Sequence, residues 1–566
     1  MENPKQEENL VSLYTSSSEN LHLTEEMNQI TQNNETHIVL ERSVEEVEKI
    51  IAYKFKNPNL LERAFTHSSF EENCASYERL EFMGDAALNL LIATEHFLNY
   101  PDLPPGKLTR LRATNVDTEK LARVAIKYNL HDYLRHNKPL LKGQVEEFRD
   151  AIMEYPLHST GLVDAPKVLA DIVESLIGAI YIDGNFSMNI IWQVVKNLLQ
   201  PLITPEKLEI HPVTKIIELC QKNGLKVKFV DSWEETGEVE VHVDGKLVGK
   251  GKFNGKKLVA INRAAHNGYL QVVKNLSVKK TTHDYPCDEN LVSLYTSSSE
   301  MNQITLNDET HIVPERSVEE VEKIIAYKFK NPNLLQQAFT HSSFEENCAS
   351  YERLEYVGDA VLNLLIATAH YLDYPDLPPG KLTRLRAANV DTEKLARVAI
   401  KYNLHDYLRH KKPLLKGQVE GFRNAIMEYP LHSTGLIDPP KVLADIVESL
   451  IGAIYIDCNF SMDTTWKVVK NFLRPLITLE KLEIHPVTKI NELCQKNGLK
   501  VEFVDSWGET GEVEVHVNGK IVGKGKFSGK KIIAQNRAAH NAYYQVVTNL
   551  SKEKTTDDYP CDETQS

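Results

Sequence analysis

The chain repeats itself at a spacing of 274 residues. Glu81 returns as Glu355, Asp171 as Asp445, Trp233 as Trp507 and Arg263 as Arg537. Even Asp284-Tyr285-Pro286-Cys287 returns, as Asp558-Tyr559-Pro560-Cys561. Stacked solenoid repeats run about 20–45 residues, so this period is that of whole folded units joined head to tail. Whatever the first half folds into, the second must fold into as well. The leader Asn9-Leu10-Val11-Ser12-Leu13-Tyr14 recurs at 290–295, an offset of 281, so the second leader is 7 residues shorter. At 566 residues the chain is too long for a single core.

Two stretches in each unit combine properties that ordinarily exclude each other. Residues 77–92 read as a helix apolar on nearly every side, through Leu80, Phe82, Met83, Ala86, Ala87, Leu88, Leu90, Leu91 and Ile92. Into it are set Glu81 and Asp85, four apart and so on one face at about 6 Å. Residues 168–180 are a second apolar helix with Asp171 and Glu174 three apart, where Ser175 and Gly178 let another helix come close. A carboxylate facing a core costs about 2 kcal/mol or more unless something compensates it. Packing of the two helices brings the four acids together, and four carboxylates without His or Cys form a hard-oxygen site suited to Mg²⁺ or Mn²⁺. The second unit repeats the set as Glu355, Asp359, Asp445 and Glu448. A lone acid pair at this spacing is usually a solvated helix face; the apolar surround and the second acid block decide against that here. His67 reads as a structural hydrogen-bonder; Glu78 points to the same side, reads equally as a helper or as a surface acid, and is left out of the set.

A hydrophobic fraction of 42% and a charged fraction of 25% are those of globular protein. No apolar run is long enough to span a membrane, and the acidic N-terminus does not resemble a signal peptide. Cys74, Cys220, Cys287, Cys348, Cys458, Cys494 and Cys561 form no Cys-x-x-Cys pair, which argues against zinc and for a reducing compartment, nucleus or cytoplasm. Residues 1–43 are rich in Ser, Asn, Thr and Glu and are expected to be disordered. So are the linker 279–316 and the tail 553–566. A flexible linker of about 40 residues has a mean span of roughly 35 Å.

Other segments read as ordinary elements. Residues 43–51 form a helix with a Ser-x-x-Glu capping box at Ser43. Residues 119–126 show the helical period, 140–167 read as loop plus a short helix, and a helix at 191–199 closes the first domain near Pro201. Composition then shifts. A helix at 211–222 stops at Asn223-Gly224, and strands follow at 225–230, 238–243 and 246–253, the last two joined by an Asp244-Gly245 turn. The final helix is expected at 262–276. Residues 211–280 hold 13 Lys and Arg against 7 acids, so this part is basic although the chain carries −14 overall.

The blocks Glu78-Arg79-Leu80-Glu81-Phe82-Met83-Gly84-Asp85 and Leu169-Ala170-Asp171-Ile172-Val173-Glu174-Ser175-Leu176-Ile177-Gly178-Ala179 resemble the two signatures of the ribonuclease III family. The flanks agree: Phe65-Thr66-His67-Ser68-Ser69 before, and Leu108-Thr109-Arg110-Leu111-Arg112-Ala113 between. The α-β-β-β-α order with Gly249-Lys250-Gly251-Lys252-Phe253 and Arg263-Ala264-Ala265 resembles a double-stranded RNA-binding domain. The arrangement is most similar to plant ribonuclease III-like proteins, which lack the helicase and end-binding domains of Dicer.

This resemblance implies an α+β, mainly α, protein. It places all-helical nuclease domains at 44–202 and 317–476, and RNA-binding domains at 208–278 and 482–552. It implies an endoribonuclease that cleaves double-stranded RNA by two-metal phosphodiester hydrolysis in RNA processing. The cofactor would be Mg²⁺, with Mn²⁺ as a substitute, and the products would carry 5′-phosphate and 3′-hydroxyl ends with short 3′ overhangs. Without a ruler domain, product length should be poorly defined. The metal ligands would be Glu81, Asp85, Asp171, Glu174, Glu355, Asp359, Asp445 and Glu448, with Asp85, Glu174, Asp359 and Glu448 catalytic. RNA contacts would come from Lys256, Lys257, Lys530 and Lys531, with Glu218 and Glu492 on the first helix of each RNA-binding domain.

Several positions depart from the family pattern. The Lys256-Lys257 pair sits one residue early, Ile261 (Gln535 in the second copy) stands where the last lysine belongs, and residues 234–238 replace the usual Gly-Pro-x-His loop. Cys458 replaces Gly184, for which a small loss at a turn is expected. The expected partners are duplex RNA and a paired nuclease domain, from the same chain or from a homodimer. The competing reading is a non-cleaving duplex-RNA-binding protein, or a dimerisation partner of another ribonuclease III-like protein.

Overall fold

A helix with no polar side must be enclosed, and the architecture follows from enclosing two of them in each repeat. The computed structural model describes residues 44–72, 74–281, 318–345 and 348–556. The leader and most of the linker and tail, with Ser43, Cys287 and Cys561, lie outside the described residues.

The first repeat opens with α1 (Val44–Ile51), α2 (Pro58–Ala64), α3 (Glu78–Asn99), α4 (Pro105–Val116), α5 (Thr118–Lys127), α6 (Leu141–Ala151), α7 (Lys167–Asp183) and α8 (Met188–Leu198). An α-β-β-β-α fold, the expected RNA-binding domain, follows: α9 (Pro212–Lys222), β1 (Val227–Ser232), the single turn α10 (Trp233–Thr236), β2 (Glu238–Val243), β3 (Lys246–Lys252) and α11 (Lys257–Thr281). The second repeat runs in the same order. Its helical part is α12 (Val318–Ile325), α13 (Pro332–Ala338), α14 (Glu352–Asp373), α15 (Pro379–Val390), α16 (Thr392–Lys401), α17 (Leu415–Ala425), α18 (Lys441–Asp457) and α19 (Met462–Phe472). Then come α20 (Pro486–Lys496), β4 (Val501–Ser506), α21 (Trp507–Thr510), β5 (Glu512–Val517), β6 (Lys520–Lys526) and α22 (Lys531–Thr556). The described residues are mainly α, with two small three-stranded sheets. No described helix is long and apolar enough to cross a membrane.

Local chemistry sets many of these boundaries. Asn57 accepts from Asn59 N ahead of Pro58 to start α2, Asp117 accepts from Lys120 N to start α5, and Ser187 caps α8. In α6, Leu141, Val145 and Phe148 lie on one buried face, so 140–167 is an eleven-residue helix followed by loop rather than loop with a short helix before the acid block. The expected loss at Cys458 does not arise. Its φ of −85° is open to any residue, and its buried Sγ lies 3.4 Å from the Tyr455 carbonyl.

At the centre of each helical domain, α3 lies directly on α7. A Cβ on Gly84 would sit 1.7 Å from the Glu174 carbonyl oxygen, and one on Gly178 would sit 2.1 Å from that of Leu80. Backbone touches backbone, as only two glycines permit. α14 and α18 meet in the same way at Gly358 and Gly452.

The two helical domains then pack against each other through α3 and α14. Arg79 donates to the carbonyls of Tyr371 (3.1 Å), Tyr374 (3.0 Å) and Leu377 (2.5 Å). Arg353 returns the contact to Phe97 (2.9 Å), Tyr100 (3.0 Å) and Leu103 (2.7 Å). These acceptors lie at or just past a helix C-terminus, where carbonyls lack intrahelical partners and a cation suits the dipole.

Each RNA-binding fold is an antiparallel sheet, in order β1-β2-β3 and β4-β5-β6. Asp244 and Gly245 turn the second hairpin at positive φ, 48° and 77°, as a tight two-residue loop requires. Ile216, Cys220, Val239, Val241, Ala260 and Ala264 form the core of the first copy. α11 starts five residues earlier than expected, because Val259 is already buried and Ala260 already sits in the core with the sheet, which prolongs the helix backwards.

Candidate active site

The Gly84–Gly178 contact sets Glu81 opposite Asp171 and Glu174. Carboxylate oxygens of these three lie within 4.8 Å of one another, as do those of Glu355, Asp445 and Glu448. Asp171 and Asp445 are buried; the other four are partly buried. Lys167, one helical turn before Asp171, reaches in with Nζ 2.8 Å from Glu81 Oε1 and 2.5 Å from Asp171 Oδ1. Tyr77 donates its hydroxyl to Asp171 Oδ2 at 3.2 Å. The second site repeats both: Lys441 to Glu355 and Asp445 at 2.8 and 2.5 Å, and Tyr351 to Asp445 at 3.1 Å.

The fourth acid of each set stands outside this group. Asp85 accepts from Asn89 Nδ2 at 2.9 Å through Oδ1, and its Oδ2 faces Arg386 at 3.4 Å. Its charge is nonetheless felt by its neighbours. Burial, then the charges of Asp85, Glu81 and Asp171, push the Glu174 carboxyl well above the usual range, and Glu448 responds alike. Burial also raises Glu81, against the pull of Lys167. Burial works against the charge of Lys167, but its hydrogen bonds to Asp171 and Glu81 prevail and hold the ammonium protonated.

This is a donor set with more negative charge than one ammonium balances, built wholly of carboxylate oxygens. It fits a hard divalent cation of the magnesium kind. Sequence reasoning missed Lys167 and Tyr77, although the i,i+4 spacing of Lys167 to Asp171 was available to it. It also missed Arg112 and Arg386, for which no local signal exists. His67 is a structural hydrogen-bonder in the fold, its Nδ1 taken by Ser69.

The four lysines expected to contact RNA are all ion-paired. Lys256 meets Asp164 at 2.6 Å and Lys530 meets Asp438 at 2.7 Å, both reaching from the RNA-binding fold to the helical domain. Lys257 pairs with Asp231 and Lys531 with Asp505, inside the RNA-binding fold. Glu218 and Glu492 are exposed on α9 and α20. The inter-domain seam is also bonded by Asn262 Nδ2 to Gly161 O at 2.9 Å and Arg263 Nε to Leu162 O at 3.0 Å. The second repeat has the same pair at 2.9 Å each, from Asn536 to Gly435 O and Arg537 to Leu436 O. Gly161 has φ +85°, and a Cβ there would lie 2.5 Å from Asn262 Nδ2, so the seam needs glycine twice over.

Comparison with known proteins points one way. The Ribonuclease III domain family matches residues 78–185 and 352–459, and the double-stranded RNA binding motif matches 486–545. Ribonuclease 3-like protein 3 of Oryza sativa subsp. japonica is 48% identical over 239 residues, 42% of this chain and 80% of the relative. Ribonuclease 3-like protein 2 of the same plant is 42% identical over 231 residues, 39% of this chain and 72% of the relative. Endoribonuclease Dicer homolog 1 of Arabidopsis thaliana is 30% identical over 541 residues, 88% of this chain but 23% of that longer protein. With two acid-lined helical domains that match the Ribonuclease III domain and a double-stranded RNA binding motif in the second repeat, the chain belongs to the ribonuclease III family of double-stranded-RNA-specific endoribonucleases.

Proposed function

We propose that the two acid sites cut the two strands of one RNA duplex by metal-assisted hydrolysis. The products would carry 5′-phosphate and 3′-hydroxyl ends with short 3′ overhangs. The observation that carries this reading is the convergence of three carboxylates within 4.8 Å, found identically in both domains. Glu81, Asp85, Asp171 and Glu174 would hold Mg²⁺ in the first site, and Glu355, Asp359, Asp445 and Glu448 in the second. The chemistry supplied by such ions when bound is a lowered pKa for water and neutralisation of charge on the phosphate and the departing 3′ oxygen.

The chain's own residues arrange the rest. Tyr77 and Tyr351 fix the buried aspartates through Oδ2. Lys167 and Lys441 keep a counter-charge beside the acids. The reading assigns no histidine as a base; His67 and His341 hold Nδ1 against Ser69 and Ser343. The basic α-β-β-β-α folds would grip the A-form duplex by its phosphates and 2′-hydroxyls, with little reading of sequence. Incubation of the full chain with long duplex RNA tests this. Cleavage should appear with Mg²⁺, vanish with chelator, and vanish in the Glu174→Gln, Glu448→Gln double variant. Cleavage that persists in the double variant would overturn the assignment.

A further inference from the structure

The acid that leaves each cluster is met by the opposite domain. Asp85 Oδ1 takes a hydrogen bond from Asn89 in its own helix, while Oδ2 faces Arg386 Nη1, on α15 of the second nuclease domain, at 3.4 Å. The reciprocal contact joins Asp359, held by Asn363 at 2.9 Å, to Arg112 Nη2, on α4 of the first, at 3.4 Å. Each guanidinium is itself seated. Arg386 lies over the Phe82 ring at 4.9 Å and Arg112 over the Tyr356 ring at 5.0 Å. Phe82 is three residues before Asp85 on α3, so ring and carboxylate together cradle an arginine from across the interface. The arginine side chains are 17% exposed and the aspartates 40%.

Such a contact does little for the pairing of the domains. A half-exposed ion pair at this distance is a weak tie, and the Arg79 and Arg353 clamps, each with three carbonyl acceptors, already secure the interface. Its effect falls on the carboxylate it touches. Asp85 is held on one oxygen by its own helix and on the other by the partner domain, which leaves its rotamer little freedom. Held beside the three-acid group rather than within it, the carboxylate has less freedom left to lose when an ion draws it in.

We propose that Arg386 and Arg112 are positioning residues acting in trans within the chain: Arg386 sets Asp85 in the first site and Arg112 sets Asp359 in the second. This rests on the reading above, that these acids hold the catalytic ions. Each nuclease site is therefore completed by the other domain, and neither half is a whole enzyme.

The test uses the full chain with one site silenced. Glu448→Gln leaves the first site and Glu174→Gln the second. Arg386→Ala should lower duplex nicking at least tenfold more in the Glu448→Gln background than in the Glu174→Gln background, and Arg112→Ala should do the reverse. Arg386→Lys should restore part of the loss and covers the case in which the alanine variant misfolds. A second readout is independent of cleavage. Titration of the RNA-free Glu448→Gln protein with Mn²⁺, followed by electron paramagnetic resonance, should show at least threefold weaker binding on Arg386→Ala. Equal losses in both backgrounds, losses that follow the domain carrying the arginine, or unchanged Mn²⁺ affinity would overturn the proposal. If the unmodified chain cuts no duplex, the proposed function fails, and the Mn²⁺ titration alone still decides the arginines.

Discussion

α7 and α11 are both long helices at the heart of a domain, yet their copies have fared differently. α7 and α18 are identical at all 17 positions, whereas α11 and α22 differ at Leu258/Ile532, Ile261/Gln535, Gly268/Ala542, Leu270/Tyr544 and Lys274/Thr548, among others. α7 is buried at all but Lys167, Glu174 and Ile182 and touches α3 through backbone, so most new atoms would collide. α11 packs one face on a sheet and shows the other to water; Leu258, Leu270 and Lys274 are exposed. The nuclease centre is specified by absence of volume, the RNA-binding fold by a surface that tolerates exchange.

The comparison can be pressed hardest at the acids. Glu174→Gln with Glu448→Gln should lower duplex cleavage by at least about 100-fold while leaving thermal stability unchanged or raised, because two disfavoured buried charges are removed. The single Glu174→Gln variant should yield nicked duplex on denaturing gels. Next in size is Gly84→Ala, whose methyl must displace the Glu174 backbone; calorimetry should show a loss of about 3 kcal/mol or more, the upper end for overpacking. Gly268→Ala is the counter-test. Its new Cβ meets side-chain ends alone, Ile216 Cδ1 at 2.8 Å and methyls of Val241 and Val248 at 3.4 Å, and Ala542 already fills that place in the second copy. Its cost should stay below about 1 kcal/mol.

Acid should strike the helical domains in particular. Burial, and then the charges of Arg112 and Arg386, lower His96 and His370 to about 4, and their Nδ1 atoms are buried without partners. The unfolded chain takes up these protons near pH 6.5 and the folded one only near 4, so stability is whole above 6.5 and drains as pH falls between the two. Urea unfolding at pH 7 and pH 5 should differ by up to about 2 kcal/mol per histidine. His96→Phe with His370→Phe should flatten that slope. The smallest effect belongs to the surface: Lys256→Ala should cost under about 1 kcal/mol of stability. In duplex binding it should reduce the salt slope by about 1.

The acid sites were legible because their charge contradicts their surroundings. Glu81, Asp171 and Glu174 stand out in runs of Leu, Ile and Ala, and no solvated-face reading survives two such runs. Other parts of the site carried no such contradiction. Arg112 sits in a helix with exposed polar neighbours and looks like any of them; only the packing of α4 against the far domain gives it a partner. Gly84 was as informative as Gly178, but a glycine between Met83 and Asp85 signals nothing until the helix opposite it is known. The start of α11 was misjudged because Lys256-Lys257 reads as loop chemistry, while burial two residues later extends the helix.

Arg79 and Arg353 join halves that belong to one polypeptide. Separate subunits find each other by collision and drift apart when scarce, whereas two tethered domains meet at an effective concentration in the millimolar range however dilute the protein is. On the proposed function, a single molecule would carry both blades of the scissors, and its capacity to sever a duplex should persist at the lowest abundance a cell can sustain.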